Sequence, residues 1–259
     1  MSVFSRPLLT VAFAILLFGV QACVTTESKV FTADTSPERA IEARVNLAMK
    51  YYQQNDLESA RRNLDEALKI DAKSPSVHNA LALVFSREGD VKLAEKHFKR
   101  AIAGDSSYST ARNNYAAFLY NQERYREAMK QLEYVADDEL YKERLLALGN
   151  LGRTAKKLGD TERAEAAFKR MLNIDSRNVL ALLELAQLAY DNKEYELSSS
   201  LHDKYKRIAP QQSAQGLFLG LRLSEVITDT GARASYVMAL RNLYPESDEY
   251  KRFLSGNYE

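Results

Sequence analysis

The feature that most constrains this chain is a series of small residues that recurs at an interval of 34 residues. One interval is 36 instead, and the series consists of Ala60, Ala94, Ala128, Ala164, Ser198 and Ala232. A second series stands twelve residues before the first throughout, as Ala48, Ala82, Ala116, Gly152, Ala186 and Gly220. This regularity predicts a solenoid of stacked helix pairs, because only Gly, Ala or Ser lets two helix backbones approach closely where they cross.

Larger side chains keep the same interval as the small ones. Directly before the second series stand Leu47, Leu81, Tyr115, Leu151, Leu185 and Leu219. Four residues after the first series stand Leu64, Phe98, Leu132, Phe168, His202 and Tyr236, and three residues further on stand Ala67, Ala101, Val135, Met171, Tyr205 and Ala239. The pattern resembles the tetratricopeptide repeat (TPR). The resemblance implies an all-α fold, a right-handed superhelical solenoid of six TPR units.

The interval also gives the boundaries of the units. They are predicted at 41–74, 75–108, 109–142, 145–178, 179–212 and 213–246, with two extra residues in the stretch DDELYKER at 137–144. Turn residues fall between the two helices of three units, as Asn55-Asp56, Gly89-Asp90 and Gly159-Asp160. The closing stretch DEYKRFLSGNYE is predicted to form a short helix over the last unit, because a solenoid needs a polar outer cap. Residues 38–259 are therefore expected to form the TPR solenoid domain with a C-terminal cap.

The first residues of the chain have the pattern of a secretory signal, in which Arg6 precedes an apolar run at 8–20. The segment Val20-Gln21-Ala22-Cys23 resembles the bacterial lipobox. The resemblance implies a lipoprotein signal peptide at 1–22, an acylated Cys23 and a flexible linker at 23–37. Since Val24 stands where an Asp would signal inner-membrane retention, the expected location is the outer membrane, with the lipid-anchored chain facing the periplasm. The alternative is an ordinary signal peptide with a cysteine near its cleavage site.

The composition argues against several classes of function. With 36 basic and 35 acidic side chains, the chain lacks the basic excess expected of a nucleic-acid-binding protein. No phosphate-binding loop, HExxH motif or nucleophile elbow is present, and the three histidines do not stand at metal-ligand spacing. The sequence therefore predicts no catalytic residues, no metal site, no cofactor and no small-molecule substrate.

A solenoid of this kind works by holding a partner in its concave face, which the first helix of each unit lines. The predicted partner-binding groove lies in the first three units and consists of Val45, Met49, Tyr52, Asn79, Leu83, Asn113, Ala117 and Tyr120. Asn79 and Asn113 occupy the same place in adjacent units. Their amides are suited either to the backbone of a bound peptide or to bridges within the solenoid, and the sequence favours neither.

The later units offer a different surface on the same face. The fourth is basic, with Arg153, Lys156 and Lys157, which indicates either a solvated surface or contact with an acidic partner. The fifth and sixth carry an apolar strip, Leu180, Leu183, Leu217 and Leu221. An exposed strip of that size requires a cover, and the C-terminal tail is the nearest candidate.

One block of the sequence is similar to a particular family, the type IV pilus biogenesis and stability lipoproteins, or pilotins. The residues that carry the resemblance are Asn113-Asn114-Tyr115, Phe118-Leu119, Gln122, Arg124-Tyr125, Glu127-Ala128, Asp138, Tyr141, Glu143-Arg144 and Asn150-Leu151-Gly152. The resemblance implies a protein that binds the type IV pilus secretin subunit and brings it to the outer membrane for multimer assembly. A general periplasmic TPR scaffold for another envelope assembly, or a non-catalytic regulator of an enzyme complex, remains the alternative.

Overall fold

The structure is a computed structural model that describes residues 36–256. The signal peptide predicted at 1–22, the proposed lipid site Cys23 and most of the linker predicted at 23–37 lie outside these described residues. Every regular element from 36 to 256 is an α-helix, and none of these helices is both long and apolar enough to cross a bilayer. In chain order the helices are α1 (Pro37–Gln53), α2 (Leu57–Ile70), α3 (Pro75–Glu88), α4 (Val91–Gly104), α5 (Ser109–Asn121), α6 (Tyr125–Asp137), α7 (Arg144–Lys157), α8 (Thr161–Ile174), α9 (Val179–Asp191), α10 (Tyr195–Ile208), α11 (Ala214–Val226), α12 (Thr230–Leu243) and α13 (Asp248–Ser255).

The helices associate in consecutive pairs. Each odd-numbered helix from α1 to α11 packs against the helix that follows it, and α13 packs against both α11 and α12. The pairs stack in order along the chain, so residues 36–256 form a solenoid of six helix pairs closed by one further helix. The all-α solenoid predicted from the repeat interval is confirmed, and so is the short helix at the C-terminal end.

The small residues that define the interval are buried between the helices of each pair. All six members of the second series are buried, and so are five of the six members of the first. Gly152 shows the reason, because a Cβ atom added there would lie only 2.5 Å from the Phe168 ring. A larger residue at this crossing would need space that the packed ring already fills.

The turns inside the pairs also agree with the sequence. Gly89 and Gly159 adopt positive φ angles of 83° and 73°, which glycine accepts without strain. In each case the next residue is an Asp that caps the following helix, and its carboxylate accepts a backbone N–H at 2.9 Å for Asp90 and 3.0 Å for Asp160. Glu123 adopts the same conformation, with φ of 58°, at a cost of about 1 kcal/mol for a residue with a side chain.

The junction between the third and fourth pairs contains the two extra residues. The loop from α6 to α7 covers 138–143, whereas the loop from α2 to α3 covers only 71–74. Asp138 fixes the longer loop, since its carboxylate accepts hydrogen bonds from Ser109 Oγ at 2.5 Å and from the Leu140 backbone N–H at 3.1 Å. Arg144 adds a bond from Nε to the Ala136 carbonyl at 2.8 Å.

The sixth pair departs from the predicted register. In the first five pairs the N-cap of the second helix lies eight residues after the small residue of the second series, but Asp229 lies nine residues after Gly220. The additional residue rotates α12 by part of a turn. Ala232 and Ala239 are therefore only half-buried, and Leu240 takes the buried place.

The first pair forms a polar end to the solenoid. The packing role expected for Leu47 is wrong, because Leu47 is 42% exposed whereas the five corresponding residues are buried. Each of those five side chains packs against the helix pair that precedes its own. Within residues 36–256 no helix pair precedes α1, so Leu47 has no such partner there. On the side of α3 that packs against the first pair, Val77, Ala80 and Val84 are buried. The corresponding positions of α1 are Ala43, Asn46 and Lys50, and all three are exposed. This face of α1 acts as the N-terminal cap.

Candidate binding groove

The first helices of neighbouring pairs lie side by side and form one face of the solenoid. Contacts join α1 to α3, α3 to α5, and α5 to α7. We call the surface of these four helices the groove. Of the predicted partner-binding residues, Ala117 is exposed on it, and Val45, Met49, Tyr52, Leu83 and Tyr120 are half-buried. The structure thus brings most of the predicted set onto one surface, and their role in binding stays a prediction.

The two predicted asparagines lie deeper than the rest. Asn79 and Asn113 are both buried. Asn79 Oδ1 accepts a hydrogen bond from Asn114 Nδ2 at 3.1 Å, and Asn113 Oδ1 accepts one from Asn150 Nδ2 at 3.2 Å. The structure therefore favours the second of the two alternatives, in which these amides bridge successive pairs.

Two aromatic side chains of the groove are held by fixed neighbours. The Arg87 guanidinium lies 3.7 Å from the centroid of the Tyr52 ring and donates a hydrogen bond from Nη1 to the Tyr52 carbonyl at 2.8 Å. Tyr120 packs edge-on against Tyr125, with 5.1 Å between ring centroids. Both tyrosines consequently present a pre-ordered surface, which lowers the entropy cost of binding a partner.

A pocket of about 260 Å³ opens between α5 and α7. Residues of α5 line one side and residues of α7 the other, while Leu132 of α6 forms the floor; the full lining is Ala116, Ala117, Tyr120, Asn121, Leu132, Asn150, Arg153 and Thr154. Of these, Ala117 and Tyr120 belong to the predicted partner-binding set, and Arg153 was predicted as part of the basic surface on the same face. The signal for the others was the small residue at 117, where the two preceding units carry Met49 and Leu83.

The basic residues of the fourth unit have different surroundings. Lys156 forms an ion pair with Glu184 of α9 at 2.5 Å, which also ties the fourth pair to the fifth. Arg153 is exposed and donates from Nη2 to Asn150 Oδ1 at 2.6 Å. Lys157 is exposed at the end of α7. The positive charge available on this part of the groove therefore comes from Arg153 and Lys157.

The apolar strip of the fifth and sixth units is largely covered. Leu217 and Leu221 are buried in a cluster that Tyr250 and Phe253 of α13 complete. Leu183 is buried in a second cluster with Leu219, whereas Leu180 remains 36% exposed. The tail thus covers the part of the strip that belongs to the last pair, as the sequence suggested.

A charged cluster on the opposite side of α5 fixes the second pair to the third. Glu95 accepts hydrogen bonds from Arg124 Nη1 at 2.8 Å and from the Tyr115 hydroxyl at 3.0 Å, and Lys99 Nζ lies 2.8 Å away. The bonds from Arg124 lower the pKa of Glu95 to about 2, against the opposing effect of burial. Tyr115 and Arg124 belong to the block that resembles the pilotins, so part of that block has a packing role.

Two histidines that the sequence placed apart meet inside the second pair. His78 Nδ1 and His97 Nδ1 are 3.1 Å apart, and His78 Nε2 lies 3.1 Å from the Ala72 carbonyl. Burial is the main reason that the pKa of His97 falls to about 4, and it lowers the pKa of His78 as well. Neither residue lies on the groove. From 36 to 256, no three His, Cys, Asp or Glu side chains are grouped so as to hold a metal ion.

Comparison with known families agrees with the helix pairs and their small-residue crossings. A model described as TPR repeat matches residues 49–89, and one described as tetratricopeptide repeat matches 79–142 and 149–213. The chain is a TPR protein. A type IV pilus assembly protein, PilF of Pseudomonas aeruginosa, is 35% identical over 240 residues, which cover 92% of this chain and 95% of PilF. The chain therefore belongs to the TPR-containing family of type IV pilus biogenesis proteins.

Two solved structures of type IV pilus proteins have the same fold as this chain. A structure of Pseudomonas aeruginosa PilF superposes with a TM-score of 0.76 at 35% identity and covers 85% of this chain and 99% of that one. A structure of PilW, described as a widely conserved type IV pilus biogenesis factor, superposes with a TM-score of 0.71 and covers 83% of this chain and 99% of that one. Since PilW is 24% identical, that likeness supports the fold alone.

Proposed function

We propose that this protein is a pilotin, which binds the type IV pilus secretin subunit in the groove and promotes its localisation and multimer assembly at the outer membrane. The protein acts by binding and not by catalysis. The observation that carries the proposal is the similarity to PilF along nearly the whole length of both chains. The pilotin-like block at 113–152 supports it, because that block contains parts of α5 and α7, two of the four helices that form the groove.

The groove supports a binding role on physical grounds. The first three of its helices, α1, α3 and α5, present Tyr52, Leu83 and Tyr120 half-buried beside exposed polar groups, and two of these side chains are already fixed by their neighbours. Surfaces that combine pre-ordered aromatic anchors with a polar rim are typical of protein-binding sites. A client would therefore be held with little ordering of the solenoid itself.

The anchor is the second part of the proposal. Cys23, acylated as the lipobox implies, holds the solenoid at the outer membrane, and the residues between Cys23 and α1 act as a tether with a reach of about 20 Å. Two or more acyl chains anchor a protein stably, whereas one binds only marginally. Tethering raises the effective concentration of the client at one surface, so lipid and groove act as two linked signals.

Deletion of the gene tests the function directly. We expect heat- and detergent-resistant secretin multimers to disappear from the outer membrane and to return when the wild-type gene is supplied. Unaltered multimers in the deletion strain would refute the pilotin function and favour the general envelope scaffold.

Two variants separate the anchor from the groove. Cys23→Ala should leave a folded protein in the periplasm, with secretin multimers lost or misplaced. Leu83→Asp should reduce capture of the secretin from detergent-solubilised envelope, with Leu83→Ala as the milder comparison. Circular dichroism and melting temperature must match the wild type; a collapse of the melting temperature in both Leu83 variants would assign Leu83 to the core.

A further inference from the structure

We propose that the pocket between α5 and α7 is the anchor site of the groove, and that it takes one leucine-sized apolar side chain from a client segment whose neighbouring residues are acidic. The inference rests on the proposed function, since the client is the protein that the groove would hold. It identifies one position within the groove and the chemistry of the residue that occupies it.

The pocket exists because one side chain is small. Met49, Leu83 and Ala117 occupy the same place in the first three units, 34 residues apart. In the first two units the large side chain fills the space between neighbouring first helices, and both pack beside the core. Ala117 leaves that space empty, and Leu132, which is fully buried, lies beneath it.

The interior of the pocket is apolar. Ala116 and Leu132 supply the floor, and Thr154 is buried on the far side. The Thr154 hydroxyl donates to the carbonyl of Asn150 in its own helix at 2.7 Å, so it leaves no unsatisfied donor for a polar guest. A volume of about 260 Å³ lies below the range typical of sites for whole small molecules and suits a single side chain.

The rim of the pocket determines the charge of the guest. Arg153 is exposed at the edge, and within residues 36–256 it forms no ion pair, unlike Lys156. Lys157 is not part of the pocket lining; it lies about one turn further along α7, where it is exposed and likewise forms no ion pair within residues 36–256. Two uncompensated cations beside an apolar hole favour a client with Asp or Glu next to its anchor residue and disfavour a basic one.

The rim also offers an amide. The Asn121 side chain is exposed at the end of α5 and makes no hydrogen bond to the other described residues. An amide both donates and accepts, so it suits the backbone of an extended or helical segment. The apolar interior of the pocket, its cationic edge and the exposed amide together indicate that the occupant is a segment of protein chain.

Filling the pocket is the sharpest test. Ala117→Leu places at 117 the residue type that the preceding unit carries, and because Ala117 is exposed the change should not disturb the fold. We expect at least a tenfold loss of secretin capture from detergent-solubilised envelope, with circular dichroism and melting temperature unchanged. Ala166→Leu, the same change at another exposed alanine, on α8, is the matched control, and this variant should capture secretin as the wild type does.

A small probe tests the chemistry independently of the client. Acetyl-Gly-Asp-Leu-Asp-Gly-amide, titrated at millimolar concentration, should shift the NMR amide signals of Ala117, Tyr120 and Arg153. The peptides with Ala in place of Leu, or with Lys in place of both Asp residues, should shift them at least fivefold less. Arg153→Glu should reverse the preference between the acidic and basic peptides. Equal shifts with all three peptides, or unchanged shifts in Ala117→Leu, would overturn the inference.

The two proposals fail in different ways. If wild-type protein captures no secretin, the pilotin function fails, and the peptide titration still decides the pocket. If Ala117→Leu captures secretin as well as the wild type does, the anchor site is wrong and the pilotin function stands.

Discussion

The Nδ1 atoms of His78 and His97 lie 3.1 Å apart, between the two helices of the second pair. If His78 Nε2–H donates to the Ala72 carbonyl, His78 Nδ1 is an acceptor and His97 Nδ1–H is its donor. His78 is then neutral, and burial, which lowers the pKa of His97, favours the neutral form of that ring as well. A proton added to His78 Nδ1 would replace this hydrogen bond with a repulsive contact, so the pair is suited to neutral pH.

Acidification should therefore weaken the fold as the histidines of the unfolded chain take up protons. Burial, then the charges of His78, Arg100 and Lys96, lower the pKa of His97 to about 4 from 6.5. The unfolded chain takes up protons below pH 6.5 while the folded pair resists, so stability falls as the pH drops from 6.5 to about 4. We expect a loss of about 2 kcal/mol over this window in urea unfolding.

The matched variant is His97→Gln, which retains hydrogen-bonding capacity without a titrating ring. Its stability should depend less on pH between 6.5 and 5 than that of the wild type. His202→Gln provides the comparison, because burial also lowers the pKa of His202 and the two effects should add. A wild-type curve that is level from pH 6.5 to 5 would contradict the neutral pair.

The Glu95 cluster predicts a second effect at lower pH. Glu95→Gln should reduce the free energy of unfolding by about 1 to 2 kcal/mol at pH 7, because Arg124 and the Tyr115 hydroxyl lose a charged acceptor. The pKa of Glu95 is lowered to about 2, so the wild type keeps this advantage above pH 4.5 and loses it as the pH falls toward 2.

Glu127→Gln is the control for that measurement. Glu127 also accepts from Arg124, at 2.7 Å, but its side chain is 52% exposed, so the change should have little effect on stability. If the two variants lose the same free energy of unfolding at neutral pH, the partly buried cluster around Glu95 stabilises the protein no more than an exposed ion pair does.

The crossing of α7 and α8 can be tested through Gly152. Gly152→Ala should cost about 1 to 3 kcal/mol, because the added Cβ atom would meet the Phe168 ring at 2.5 Å. Phe168→Leu should relieve the clash, since the third pair holds Ala116 with Leu132 at the same two places. The double variant should consequently be more stable than the sum of the single effects predicts, and strict additivity in thermal or urea unfolding would contradict the close approach.

The asparagine bridge predicts coupling between neighbouring units. Asn113→Ala should destabilise the protein by about 1 kcal/mol, because Asn150 Nδ2 loses its acceptor at 3.2 Å. In the double-mutant cycle with Asn150→Ala, the second change should cost little once the first has been made. Independent effects in urea unfolding would show that the two amides do not bond in solution.

The sequence predicted most of the fold because the solenoid depends on short, repeated crossings. Gly152 and Phe168 are only sixteen residues apart, and every unit repeats their relationship. The sixth unit was placed less well, since a single additional residue before Asp229 changes the register without breaking the helix pattern. Leu47 was misplaced because the interval does not show whether another helix pair stands before the first unit, and within residues 36–256 none does.

The groove was only partly accessible to sequence reasoning. The repeat identified which helices share a face, so Tyr52, Leu83 and Tyr120 fall together as expected. It did not distinguish side chains that reach solvent from those used by the next unit, and so Asn113 was not separated from Tyr120. The contact between His78 and His97 could not be predicted, because neither residue belongs to a series that recurs at the repeat interval.

The polar face of α1 limits the stacking of further helix pairs on the first pair of the solenoid. Each pair presents an apolar side to the next, so a first pair with the side chains of α3 would dock on the last pair of another molecule and begin a head-to-tail filament. At the first pair, the polar side chains of Asn46 and Lys50 disfavour such docking. At the last pair, α13 covers the surface on which another pair would stack. These two closures therefore disfavour end-to-end stacking of the solenoid formed by residues 36–256 on a second copy of itself.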